Sequence, residues 1–153
     1  MVRVQHEEFD VNVEIARLRA DPRIGAIACF IGVVRDLNDG EAIASMTLEH
    51  YPGMTERALE EIVAQAKSRW DLYDVVVIHR VGALRPADPI VLVVVTSAHR
   101  GEAFAACEFV MDYLKTEAPF WKKEATPAGE RWVEARASDD DARERWESDV
   151  PKP

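Results

Sequence analysis

Cysteine is scarce in this chain: two in 153 residues, Cys29 and Cys107. Both fall inside apolar patterns, which reads as small buried hydrophobes rather than a disulfide framework or a catalytic thiol. That usage fits a reducing cytoplasm. The four histidines are scattered, with no cysteine–histidine cluster at metal-ligand spacing, so no metal is expected. Basic residues are also in short supply, 19 against 28 acidic ones. A net charge of −9 argues against nucleic acid, because phosphate backbones are bound by a basic face. No apolar run approaches membrane-spanning length, and the first residues lack the pattern of a signal peptide. Internal repeats and low-complexity segments are missing as well. What remains is a composition of globular type, 48% hydrophobic, at a length that suits one domain spanning residues 1–153.

Against this acidic background one stretch is locally basic. Residues 97–124 read SAHRGEAFAACEFVMDYLKTEAPFWKKE. Phe104, Cys107, Met111 and Leu114 recur at helical spacing, and Ala103, Ala106 and Val110 widen the face they form. Ser97 is a candidate cap, and Pro119 must end the helix because the residue before a proline is pushed out of the helical region. His99 and Arg100 lie at the helix start, where free N–H groups favour an anion. Glu102 suits the same first turn, although its charge opposes an anion bound close by. Lys115 lies in the last turn, and Lys122 and Lys123 follow beside Phe120 and Trp121. Five potential cations thus gather around the two ends of one helix, which points to a site for a small anion. Lys115 projects at the edge of the apolar face. Helix geometry leaves two readings open: a desolvated lysine with a lowered pKa, suited to proton transfer, or a snorkelling lysine that satisfies the helix end.

The rest of the chain supplies a scaffold. Residues 2–5 read as a short edge strand, and 10–20 as a helix with Val11, Ile15 and Leu18 on one side. The run IGAIACFIGVVR (24–35) is a strong strand in which Gly25 and Gly32 mark a bulge or a close approach. Arg35 ends it beside a turn-rich loop, as a phosphate hook or a solvated rim charge. Residues 42–51 alternate with period two and are expected to pair with the preceding strand across a hairpin. Residues 55–70 form an amphipathic helix with Leu59, Ile62, Val63, Ala66 and Trp70 inward. The β-branched runs 75–81 and 90–97 are strands buried on both faces. His79-Arg80 is read as strand-end or interface polarity rather than chemistry. RWVEAR (131–136) is a last strand. A short helix then starts at Ser138 with 143–146 as its body, inside an acidic tail (137–153) expected to fray from residue 150. This element order implies an α+β fold with helices on a mixed or antiparallel sheet.

SAHR, MDYLKTEAPFWKKE and RWVEAR, with FIGVVRD and LEHYPGMTERAL upstream, give the chain a specific likeness. It resembles the large, catalytic subunit family of molybdopterin synthase over roughly residues 9–136. The resemblance implies an α/β hammerhead-type fold with an added antiparallel β subdomain. It implies conversion of cyclic pyranopterin monophosphate (precursor Z) to molybdopterin, as part of molybdenum cofactor synthesis. It implies that both sulfurs come from the thiocarboxylated C-terminus of a small ubiquitin-like subunit. The expected assembly is a homodimer of large subunits with a small subunit at each end, without a metal or bound cofactor. Lys115 and Lys122 match the family's catalytic lysines. Val33, Val34, Arg35, His99, Arg100, Lys123 and Glu124 match its substrate-binding positions. For the dimer, the continuous apolar strands 75–78 and 90–95 are the expected surface, unless helices of the same subunit cover both faces. Two other classes compete with the synthase reading. One is a non-enzymatic anion-sensing or scaffold domain. The other is a phosphate-transferring enzyme, for which the chain has neither a P-loop nor a metal-binding carboxylate cluster.

Overall fold

A computed structural model describes residues 1–38, 40–133 and 137–148 of the chain. Its centre is the antiparallel pair β6 (Leu72–Arg80) and β8 (Pro89–Ser97). The pair is flanked by β1 (Val2–Gln5), parallel to β6, and by β2 (Ala26–Val33), antiparallel to β8. The valine runs are buried on both faces because each face meets helices of the same subunit. On one side Val75, Val77, Val91, Val93 and Val95 pack against α2 (Met54–Arg69) and α3 (Arg100–Glu117). On the other, Val76, Ile78, Leu92 and Val94 pack against Phe9 and α1 (Val11–Arg19). Each fully buried side chain of this kind stabilises the fold by about 1.5–3 kcal/mol. These strands are therefore not a dimer surface, and the bare apolar side chains lie elsewhere. Phe30, Ile31 and Val33 on the edge strand β2 are each more than 40% exposed.

Helix α1 starts where Asp10 accepts a hydrogen bond from Val13 N (3.2 Å), and its buried Glu14 is paired with Arg3. Helix α3 starts one residue past His99, so the cap position is His99 and not Ser97. The Ser97 hydroxyl sits at the buried strand end, 2.9 Å from the Asp71 carbonyl and 3.1 Å from the Glu102 carboxylate. Phe104 is not on the buried face: it is 67% exposed, because Ala103, Ala106, Val110 and Leu114 set the contact line. Gly25 makes the expected close approach. Its N–H donates to the Ser97 carbonyl (3.0 Å), and a Cβ on it would stand 2.2 Å from the Ala98 oxygen.

A second, antiparallel sheet has the order β10 (Gly129–Val133), β9 (Phe120–Thr126), β5 (Ser45–His50), β7 (Gly82–Leu84). A two-residue pair, β3 (Leu37–Asn38) with β4 (Glu41–Ala42), joins β2 to it. This corrects the expected hairpin: β5 is a strand, but it pairs with β7 and β9 and not with β2. The register of β2 slips at Gly32/Val33, the chain turns out of the first sheet there, and the small β3–β4 pair carries it across. Alternation identifies a strand facing a core but is blind to which neighbour supplies the hydrogen bonds. Val34, Met46, Leu48, Val81 and Leu84 form the small core of this subdomain.

The last strand begins earlier than expected, at Gly129, and residues 134–136 lie outside those described. Helix α4 (Ala137–Ser148) is longer than the body expected for it, and residues 150–153 also lie outside the described set. It docks on α3 through Trp146, whose indole meets Trp70 and Phe109 edge-on at 5.6 Å each and donates to Asp112 (2.6 Å). The Arg69 guanidinium donates to the Trp146 carbonyl (3.0 Å) and stacks within the same aromatic group. A Trp146→Ala variant should lose about 2–3 kcal/mol in urea unfolding, from lost ring contacts and the abandoned Asp112 acceptor. An unchanged urea midpoint would mean that α4 contributes nothing to the fold in solution.

Candidate functional site

The two sheets meet at the C-terminal end of α3, and a cleft of about 370 Å³ opens there. Its geometry follows from three short stretches of chain. Past the β2 slip, the Val34 N–H donates to the Asp88 carbonyl (3.0 Å) and its carbonyl accepts from Ala87 N (2.8 Å). That anchors Val34 in the small core and leaves Arg35, the next residue, exposed on the cleft wall. At the end of α3, Leu114 is buried and Lys115 faces the cleft. The chain then turns at Pro119, whose carbonyl accepts from the fully buried Thr55 hydroxyl (2.9 Å). From Phe120 the backbone is a strand, and its period of two sends Lys122 and Glu124 into the cleft.

Glu124 is 2% exposed, and three donors from three elements surround it. Oε1 accepts from Asn38 Nδ2 (2.6 Å) and lies 3.6 Å from Lys122 Nζ, while Oε2 is 3.3 Å from the Arg131 guanidinium. A buried carboxylate is tolerable only with such partners. Here it ties Lys122 to the wall of the cleft. Arg35 has no ion-pair or hydrogen-bond partner among the described residues, so its guanidinium is available to a ligand. Val33, Val34, Arg35, Lys115, Lys122 and Glu124 are thus brought together.

Three expected site residues are not. Lys123 points to the opposite side of β9, where it pairs with Glu130 (2.8 Å) over the Trp132 ring. The alternation that brings Lys122 inward excludes its neighbour. His99 and Arg100 sit exposed at the far end of α3. At 1.5 Å per residue that end lies about 22 Å from Lys115. Lys115 itself is exposed in the isolated subunit, so the fold alone does not strip it of water, as the first of the two readings of its helix position requires.

Sequence reasoning passed over His79. In β6 it follows Val75 and Val77 on the same face, and the parity of the strand was the available signal. Its neighbour Arg80 is indeed structural, donating to the carbonyls of His6 (3.1 Å) and Pro89 (3.0 Å). His79 is buried, stacks on Phe120 at 3.9 Å and 20°, and lines the cleft. Burial, with Lys115 and His50 nearby, pulls its pKa down to about 4, although the Arg80 carbonyl works in the opposite direction.

Comparison with known proteins agrees with this architecture. The MoaE protein family model matches residues 4–117. The chain is 66% identical over 146 residues to a molybdopterin synthase catalytic subunit of Ralstonia nicotianae, covering 95% of this chain and 83% of that one. It is 59% identical over 145 residues to the subunit of the same name from Haemophilus influenzae, covering 95% and 97%. Among solved structures, the molybdopterin biosynthesis MoaE protein of Burkholderia ambifaria superposes with a TM-score of 0.83 at 61% identity, over 96% of this chain and 97% of that one.

The buried imidazole has a consequence for stability. Folded, His79 stays neutral down to about pH 4, whereas in an unfolded chain it takes up a proton near pH 6.5. Between those values the unfolded state holds more protons, so stability falls as pH falls through the window, and the loss is complete below it. Relative to His79→Gln, the wild-type chain should therefore lose up to about 3 kcal/mol between pH 7 and pH 4. Urea titrations at a series of pH values measure this, and parallel pH dependences would contradict a buried, neutral His79.

Proposed function

The chain belongs to the MoaE family of molybdopterin synthase catalytic subunits, and on that premise we propose that the cleft between Arg35, Lys115 and Lys122 is where sulfur is transferred to the pterin. The convergence of three cations on one cleft, in a protein of net charge −9, is the observation that carries this reading. The substrate would be precursor Z, a cyclic pyranopterin monophosphate, and the cleft has the size of a small-molecule site. Its cyclic phosphate would be held by guanidinium groups, and the pterin side chain would lie over the lysines. The thiocarboxylate sulfur attacks an electrophilic side-chain carbon. Lys115 supplies a proton to the departing oxygen, and Lys122 stabilises the negative charge that develops. Water then hydrolyses the thioester, which frees the carrier's carboxylate and leaves the sulfur on the pterin. A second round completes the dithiolene.

Neither cysteine lines the cleft, so the sulfur must arrive from outside this chain. A slender Gly-Gly terminus of a ubiquitin-like small subunit suits such an entry, having the least side-chain bulk and the greatest backbone freedom. Its globular body would dock on the surface nearby. A cytoplasmic setting belongs to the same proposal; both cysteines are unpaired, as a reducing compartment keeps them.

The same reading gives His99 and Arg100 a place. The edge strand β2 runs the length of α3: Gly25 binds beside Ser97 at one end, and Arg35 lies just past the other. Its exposed Phe30 and Ile31 mark the middle. A two-fold axis near them makes an isologous dimer in which the His99–Arg100 end of each subunit meets the Arg35 end of the other. Each site is then shared, with lysines from one subunit and the remote pair from its partner.

Two measurements test the proposal. Lys115→Ala should remain a folded dimer and lose about 10²–10⁴-fold in single-turnover dithiolene formation from precursor and thiocarboxylated small subunit. Near-normal turnover would remove Lys115 from the chemistry. Homodimers of Lys115→Ala and of Arg100→Ala should each be impaired, while a mixed dimer of the two regains one intact site and about half the native rate. Mixed dimers no better than their parents would show that each site is built from a single chain.

A further inference from the structure

We propose that His79 is a specificity residue of the cleft, whose Nε2 accepts a hydrogen bond from an N–H group of the bound pterin. The inference rests on the functional reading above and deepens it. It begins from an anomaly in the strand. Positions 75, 77 and 79 of β6 share one face, and the third carries an imidazole where the pattern calls for another valine. At 5% exposure almost all of the ring is out of water, and its Nε2, which is not among the buried unpaired atoms, is left to meet the cleft.

One of them is used within the fold. Nδ1 lies 2.8 Å from the Arg80 carbonyl oxygen. A carbonyl only accepts, so Nδ1 carries the hydrogen, and in the neutral ring Nε2 is left as a bare acceptor. Among the described residues Nε2 has no hydrogen-bond partner. Nδ1 is tied back to the backbone of its own strand, so the opposite edge of the ring is the one the cleft meets. The stack on Phe120 holds the ring plane in place.

The surroundings explain what such an acceptor is for. Arg35, Lys115 and Lys122 are all donors and suit the phosphate and the developing oxyanion. The Glu124 oxygens face Asn38, Lys122 and Arg131. Asp139 is half-buried on the lining at the start of α4. His79 thus adds to the cleft wall an acceptor that carries no charge, on a ring that is otherwise buried. A reduced pterin carries ring N–H and amino donors on its flat pyrimidine ring, and a neutral acceptor at the cleft wall pairs with such a group without competing for the phosphate's cations. Burial and the nearby Lys115 and His50 keep the ring neutral at physiological pH, which preserves the lone pair. An acceptor of this kind discriminates sharply, because a ligand without the N–H leaves it unpaired.

The test uses the assembled synthase and three variants. His79→Phe keeps a ring against Phe120 and has no acceptor. His79→Gln can place its amide oxygen near the position of Nε2. His79→Asn can reach the Arg80 carbonyl but not the cleft. Affinity for precursor and for inorganic phosphate is measured by calorimetry, and kcat and KM by dithiolene formation. His79→Phe and His79→Asn should bind precursor about tenfold more weakly, with KM raised in parallel and phosphate affinity unchanged. His79→Gln should recover most of the loss. Native precursor affinity in His79→Phe overturns the inference, as does an equal loss in all three variants or a parallel loss of phosphate binding. If His79→Phe does not fold, the Asn–Gln pair decides, and equal affinities overturn the inference. Wild type and Lys115→Ala run alongside: a wild-type complex that forms no dithiolene refutes the functional reading and this inference with it. Normal wild-type turnover with unaffected His79 variants refutes this inference alone.

Discussion

Two strands without a wet face govern the rest of the molecule. β6 and β8 bury both sides of their valine runs, so helices must cover both. α2 and α3 take one side and α1 the other. Once α3 lies on the sheet, its two ends are assigned different fates. Its start abuts the β2 end at Gly25, and its finish is delivered to the junction with the second sheet, where the chain turns at Pro119 into β9. The cationic cleft is therefore a by-product of packing as much as of local sequence. Lys115 arrives on a rigid helix, Lys122 on a strand, and Arg35 on a segment clamped through Val34.

The electrostatics are built on the same frame. The chain as a whole repels anions, but low-dielectric walls with three inward cations focus a local field of the opposite sign. Two carboxyl groups, Glu124 and Asp139, share the lining with these cations, and the Glu124 oxygens face the donors of Asn38, Lys122 and Arg131. That arrangement orients Lys122, while Arg35 has no partner among the described residues.

The elements were legible from periodicity because each has a consistent apolar face: α2 matches to within a residue at each end, and both valine strands were identified as doubly buried. Pairing was not legible. The alternation of residues 42–51 says nothing about β7 and β9, which lie far along the chain. At the site, the resemblance pointed to Arg35, Lys115, Lys122 and Glu124, and all four line one cleft. It gave no sign that Lys122 and Lys123 face opposite sides of β9, which takes the strand's parity and its starting phase. Nor could it show that His99 and Arg100 stand a helix length away from the lysines, since proximity in sequence becomes distance along a rigid rod. His79 was passed over because a histidine beside an arginine reads as strand-end or interface polarity; the parity it shares with Val75 and Val77 pointed inward, and its stack on Phe120 and place on the cleft appear only in three dimensions.

Gly25 carries a lesson for inherited variation. A Cβ on this residue would press into the Ala98 carbonyl, immediately before His99. Every missense change there adds that atom, so alleles at this codon would behave alike whatever the chemistry of the new side chain. Their damage would register at the His99–Arg100 end, although Gly25 itself has no polar side chain and no place on the cleft. A catalogue of harmful variants sorted by charge or hydrophobicity would miss the rule, and one sorted by backbone crowding would find it.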